Sequence, residues 1–330
     1  MYDLTDFIKS VYEIVEKHRV DDNGIYSEKV CQNEEDRTLG MIMYGSAEAV
    51  NILYTIRRIP TDENVRKKYI KTLQQFQNAD SGLFEKPGNY TTHTTAFMSG
   101  ALNLLGAKPM YRAFEFDKYK EEEELKRLMN TIDWEGNPWL GAHIGAGIYS
   151  SILLTGNYNP EWEELYFKWL DENQDEKTGL WKKGSINSDV PMFSYIAAAF
   201  HYVFIYEYTR RKIPYQEKLL DTCIRAYNEG NCPDFSTAIG WHDIDYTYIL
   251  YRLAKRTGYR GDEVGTILKK IADDFIKLIL GMDPYKSEEL NNLNKLLAVV
   301  SALAILQEAL PGEIKTENPL RLVLDKTPFI

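Results

Sequence analysis

Apolar residues recur at helical spacing along almost the whole chain, and no stretch shows the period-two alternation that a half-buried strand requires. Glycine and proline clusters interrupt that periodicity at Asp22-Asn23-Gly24, Ser81-Gly82, Gly136-Asn137-Pro138, Thr178-Gly179, Pro214 and Pro284. The intervening segments predict twelve helices, over 4–19, 38–57, 62–78, 92–105, 118–132, 139–155, 160–174, 190–210, 215–229, 238–257, 262–281 and 288–309. These helices alternate in character. Those at 62–78, 118–132, 160–174, 215–229 and 262–281 carry many charges and must keep one face in water. Those at 92–105, 139–155 and 190–210 are apolar, small or aromatic nearly all round, which requires enclosure by protein. Charged and apolar helices taking turns predict an all-α chain with two concentric layers.

A repeat gives the layers a number. TLQQFQNADSGLF surrounds Gln77 and WLDENQDEKTGLW surrounds Gln174, and the pairs Gln77/Gln174, Gly82/Gly179 and Phe84/Trp181 are each separated by 97 residues. If that interval holds two helical hairpins, the chain holds six, which agrees with twelve helices counted independently. The second copy, with Trp169-Leu170, Gln174 and Gly179-Leu180-Trp181, resembles the QW motif of triterpene cyclases, which recurs more loosely in protein prenyltransferases and other α/α-toroid proteins. In the first copy Thr72 takes the aromatic place and Phe84 that of the tryptophan. The resemblance implies an (α/α)6 toroid, six hairpins in two rings, as one domain over 1–330. It also implies that the motif braces the turn from an outer to an inner helix, a structural role and not a catalytic one.

Composition removes several classes of function. A net charge of −10 argues against a nucleic-acid partner, which needs clustered basic charge. No apolar run reaches the ~18 residues of a membrane span, and the charged segment MYDLTDFIKSVYEIVEKHRV reads as a helix and not as a signal peptide. Cys31, Cys223 and Cys232 form no C-x-x-C pair and fit isolated thiols in a reducing compartment, so a cytoplasmic location is expected. Phosphate loops and dinucleotide fingerprints are absent, and no cofactor is expected. The DxDD acid of triterpene cyclases is incomplete, because Tyr246 follows Asp243-Ile244-Asp245. The Asp-x-Cys zinc pair of protein prenyltransferases appears only reversed, as Cys232-Pro233-Asp234, so no metal site is expected.

In such a barrel the N-termini of all inner helices open at one end. The residues placed there are Arg37, Tyr44 and Glu48; Tyr90 and His93; Trp139 and His143; Asp189 and Tyr195; Trp241, His242, Asp243 and Asp245; and Asn291, Asn292 and Asn294. Three of the five histidines, His93, His143 and His242, begin inner helices, and a helix N-terminus favours the neutral imidazole. His18 and His201 read as ordinary packed residues. The richest stretch is Gly240–Tyr246, where Trp241 offers a stacking face and His242, Asp243 and Asp245 are the candidate catalytic groups. Asp243 and Asp245 are equally well placed to cap their helix. The candidate substrate-binding residues are Tyr44, Glu48, His93, Trp139, His143, Asp189, Tyr195, Trp241 and Asn291.

Trp, Tyr, His, Asn and Asp together stack on sugar rings and bond hydroxyls. The leading expectation is therefore a glycoside hydrolase or lyase acting on an oligosaccharide, uronate-bearing ones included. An isoprenoid cyclase or transferase is the alternative, and a non-catalytic glycan or peptide binder the third.

Overall fold

The computed structural model describes residues 1–29 and 39–330, so Cys31 and Arg37 lie outside the described residues. All twelve expected helices form: α1 (Thr5–Lys17), α2 (Leu39–Thr55), α3 (Glu63–Gln74), α4 (Thr91–Leu104), α5 (Glu122–Asn130), α6 (Pro138–Leu154), α7 (Pro160–Asn173), α8 (Met192–Thr209), α9 (Gln216–Asn228), α10 (Trp241–Thr257), α11 (Gly261–Gly281) and α12 (Leu293–Ala309). Two begin four or more residues later than the periodicity predicts. Residues Phe114–Lys120 form a separate 3₁₀ helix ahead of α5. Helix α12 waits for Asn292, whose side chain accepts the Lys295 amide as an N-cap. Among the described residues the extended structure is a parallel pair of two-residue strands, β1 (Tyr2–Asp3) and β2 (Ile314–Lys315).

The even-numbered helices pack in a cycle. Helix α2 lies against α4, α4 against α6, α6 against α8, α8 against α10, α10 against α12, and α12 returns to α2. Helices α4, α6, α8 and α12 are buried along nearly their whole length. The odd-numbered helices sit outside them: α3 buries only Tyr69, Thr72 and Leu73, and α5 only Leu125 and Met129. Such one-sided burial suits their charged sequences.

The links from outer to inner helices share one device. In each, an Asp or Asn side chain accepts backbone N–H groups a few residues on: Asp21, Asn78, Asp133, Asp175, Asp234 and Asp283. The two repeat turns share their glutamine bonds. Gln77 and Gln174 each donate to the carbonyl of their glycine, Gly82 or Gly179, at 2.8 Å. The amide oxygen of each glutamine accepts from the following hairpin, at Tyr111 N (2.9 Å) or Tyr215 N (3.1 Å). The Trp181 indole donates to the Leu170 carbonyl at 2.9 Å. The partner of Asp175 is Asn78, 97 residues earlier, while Asp80 is exposed.

Past α12 the chain returns across the molecule. Arg321 N donates to the Thr55 carbonyl, and Ser150 on α6 donates to the Pro328 carbonyl at 2.7 Å. Phe329 packs edge-on against His93 of α4 and Phe204 of α8, which brings Ile330 to the wall of the interior cavity.

Candidate functional site

A cavity of about 340 Å3 opens where the first turns of the inner helices converge, a volume at the small end of ligand sites. Its mouth carries Glu28, Lys86, Asn89 and Leu140, and Tyr44, Trp139, Trp241, Asp245 and Asn294 line it further in. Phe97, Phe200, Ile330 and the histidines 93, 143 and 201 complete it.

Close helix approach sets up the imidazoles. A side chain at Gly147 would sit 2.6 Å from the Thr92 carbonyl carbon, so glycine lets α6 lie on the first turn of α4. Ser151 donates to the Thr92 carbonyl at 3.0 Å and fixes that register. His143, one turn before Gly147, then meets His93 with ring centroids 4.4 Å apart, and His201 stands 4.8 Å from His143 on the other side. Burial holds all three rings neutral. It takes His93 down to about 3, with His201 and Lys86 adding repulsion, and His201 down to about 4. His143 falls well below the ordinary imidazole range through burial and its two neighbours. Among the described residues no group of histidine, cysteine or acidic side chains is arranged to hold a metal ion.

Two carboxyl groups complete the interior. Asp245, 1% exposed, is pushed well above the ordinary carboxylate range by burial and then by Asp243, with Trp139 opposing; its Oδ2 has no hydrogen-bond partner. Glu48 is fully buried behind Asn294. The Trp241 indole donates to Asn294 Oδ1 at 2.8 Å, and Asn294 Nδ2 donates to Glu48 Oε1 at 3.0 Å. Burial, reinforced by Glu28, raises Glu48 to about 8, and its Oε2 is unpartnered. At the mouth Lys86 pairs with Glu28 at 3.4 Å and lies 3.8 Å above the Tyr44 ring.

The sequence-derived candidates divide. Tyr44, His93, Trp139, His143, Trp241 and Asp245 share the cavity, with Glu48 reaching it through Asn294. Asp243 does not line it: its Oδ2 accepts the Gly240 amide at 2.9 Å as a helix-capping group, and its Oδ1 meets His242 Nε2 at 3.2 Å. His242 faces a separate surface depression beside Pro191, Cys232 and Asp234; burial lowers it, but Asp243 outweighs burial and leaves it raised. Asp189 is exposed on the link before α8. The Tyr195 hydroxyl is used up on the Asn187 amide and the Ser185 carbonyl, and Asn291 bonds the Pro284 and Ser287 carbonyls.

The imidazole that joins His93 and His143 is thus His201 and not His242. First turns alone do not make the cavity wall, which is deep enough to reach the third turn of α8. A single histidine in an otherwise apolar helix was the signal available. Lys86 and Asn89 lie in the link feeding α4, where a reading extended upstream of the helices would have met them; nothing local marks Glu28.

Stability should peak near about pH 6.5 and fall on both sides. Below 6.5 the unfolded chain protonates histidines that the folded protein keeps neutral down to about 3 at His93 and about 4 at His201, so stability is lost as the pH drops through that window. Glu48 acts oppositely: its contribution is complete below 4.5 and is lost as the pH rises to about 8, because the folded state holds a proton that the unfolded state releases. Urea unfolding of wild type and Glu48→Gln across this range checks both limbs. The variant should flatten the alkaline limb, and an unchanged limb would show that Glu48 is not held neutral.

No family model, curated protein or solved structure matches this chain, so a reading of the site stands on its geometry alone.

Proposed function

We propose that the chain is an (α/α)6 toroid and that its cavity is the active site of a carbohydrate-active enzyme, a glycoside hydrolase or lyase. The cyclic packing of the six even-numbered helices, each fed by an outer helix through an Asx turn, supports the toroid. The observation that carries the functional reading is the pairing of aromatic faces with carboxyl groups biased toward their protonated forms. Trp139 and Trp241 offer surfaces for a sugar ring, and Asn89 and Asn294 offer amides for its hydroxyls. Asp245 in this reading is the general acid: a carboxyl kept protonated by burial can give its proton to a departing glycosidic oxygen. Glu48 and Asn294 hold Trp241 in place.

An isoprenoid enzyme is the second reading, favoured by the apolar inner wall of Phe97, Phe200 and Ile330. Against a diphosphate substrate, Lys86 is the only cationic side chain lining the cavity among the described residues, and it is already paired with Glu28. Screening the protein against nitrophenyl glycosides, uronate oligomers and isoprenyl diphosphates decides between them. Turnover of a sugar substrate is expected, and turnover of an isoprenyl diphosphate alone would replace this reading by the second.

A further inference from the structure

The hydrogen-bond partners of His201 and His93 fix which of their ring nitrogens carry protons. His201 Nδ1 lies 2.8 Å from the Ala197 carbonyl, which can only accept, so the proton is on Nδ1 and Nε2 is a bare acceptor. His93 Nδ1 lies 3.2 Å from the Tyr44 hydroxyl. That hydroxyl also meets Asn89 Nδ2 at 2.8 Å and the buried Thr94 hydroxyl at 3.0 Å. Among the described residues the Thr94 hydroxyl has no hydrogen-bond partner, side chain or backbone, other than Tyr44, so the Thr94 proton goes to Tyr44, and Asn89 donates to Tyr44 as well. The Tyr44 proton is left for His93 Nδ1, which places the His93 proton on Nε2. The cluster therefore offers a donor at His93 and an acceptor at His201, each ring packed against His143, whose own ring makes no hydrogen bond among the described residues.

Sugar hydroxyls both donate and accept, and fit such a pair; a carboxylate only accepts and is mismatched to the bare Nε2 of His201. The rest of the lining points the same way. Asp245 is biased toward its neutral form, and Lys86 is engaged by Glu28, so an acidic ligand would find no free counter-charge among the described residues that line the cavity. We infer that His93, His143 and His201 form the recognition site for the hydroxyls of an uncharged sugar ring, His93 donating to one and His201 accepting from another, so that the cavity selects neutral sugar units over acidic ones. This inference rests on the carbohydrate reading above and narrows its substrate class.

Two measurements test it. Trp139 and Trp241 line the cavity and report ligand binding by their fluorescence, so the full chain can be titrated with methyl glycosides of glucose, galactose and mannose and of the matching uronates. At least one neutral glycoside should bind about tenfold or more tightly than its uronate, the discrimination expected when a site built for one pattern of donors and acceptors meets the wrong one. His201→Phe keeps a ring of similar size and should abolish that preference. In the wild-type protein with 15N-labelled histidine, long-range 15N–1H correlation spectra should show His201 protonated on Nδ1 and His93 on Nε2. A uronate bound more tightly than every neutral glycoside, or a His201 protonated on Nε2, overturns the inference and leaves the carbohydrate reading standing. Binding of neither kind of sugar overturns both.

Discussion

Gly82→Ala and Gly179→Ala should be the most damaging single substitutions at the turns, each costing roughly 3–5 kcal/mol of a total that for ordinary domains is about 5–15 kcal/mol. Both residues have left-handed backbones, at φ +74° and +73°, where any side chain is strained. Space makes the larger contribution. A Cβ on Gly82 would lie 1.8 Å from the Arg112 carbonyl oxygen, and one on Gly179 would lie 2.4 Å from the Leu219 amide nitrogen. In both cases the obstruction is backbone of the next hairpin, held there by Gln77 or Gln174, so relief requires moving one hairpin relative to another. Gly156→Ala is the control, since its φ of +87° is comparable but nothing lies within 4 Å. It should lose only about 1 kcal/mol, the conformational part alone. Thermal melts of the three variants check this, with a shift of roughly 10 °C expected at the two turns. Equal losses in all three would mean that the turns do not press on the following hairpins.

Asp245→Asn should lower turnover of the sugar substrate by about 10²–10⁴-fold while leaving the melting temperature nearly unchanged. The stability half follows from shape and charge: at 1% exposure, a carboxyl biased toward its protonated form is close to isosteric with an amide and carries little charge to lose. The activity half follows because an amide cannot deliver a proton to a leaving oxygen. Turnover by the wild type should decline as the pH rises through the raised pKa of this group, since the protonated form is the active one. Asp243→Asn should behave differently. It weakens the contact with His242 and keeps an acceptor for the Gly240 amide, costing about 1 kcal/mol or less with turnover within a few-fold of wild type. A neighbouring variant that is nearly silent shows that the loss at Asp245 belongs to the cavity and not to the helix end. Full activity in Asp245→Asn together with its loss in Asp243→Asn would move the acid outside the cavity.

What the sequence alone determined is everything that follows from local periodicity and short-range turn chemistry. Twelve helices were legible because apolar spacing is a property of a dozen consecutive residues, and the contrast between charged and all-round apolar helices separated outside from inside. The equivalence of the Gln77 and Gln174 turns was legible because a left-handed glycine after an Asx turn leaves the same residues wherever it recurs. Tyr44, His93, Trp139, His143, Trp241 and Asp245 could be placed at the cavity because each follows closely on the start of an inner helix.

Tertiary structure decided the rest, since direction around a helix and depth along it depend on neighbours. Asp243 and Asp245 are two residues apart and therefore on different faces, so one serves the cap and the other the cavity. His242 pairs with Asp243 and turns away from the cavity, whereas His201, buried in an apolar helix, reaches it because α6 and α8 pack closely enough to bring its ring to His143. Lys86 and Glu28, 58 residues apart, meet only because α2 and α4 pack side by side and bring together the links that precede them. Phe329 and Ile330 belong to a segment with no helical period, and only packing between α4 and α8 gives them a place. A side chain's neighbours across the molecule set its charge, its tautomer and what it faces, and those neighbours are not written in the residues beside it.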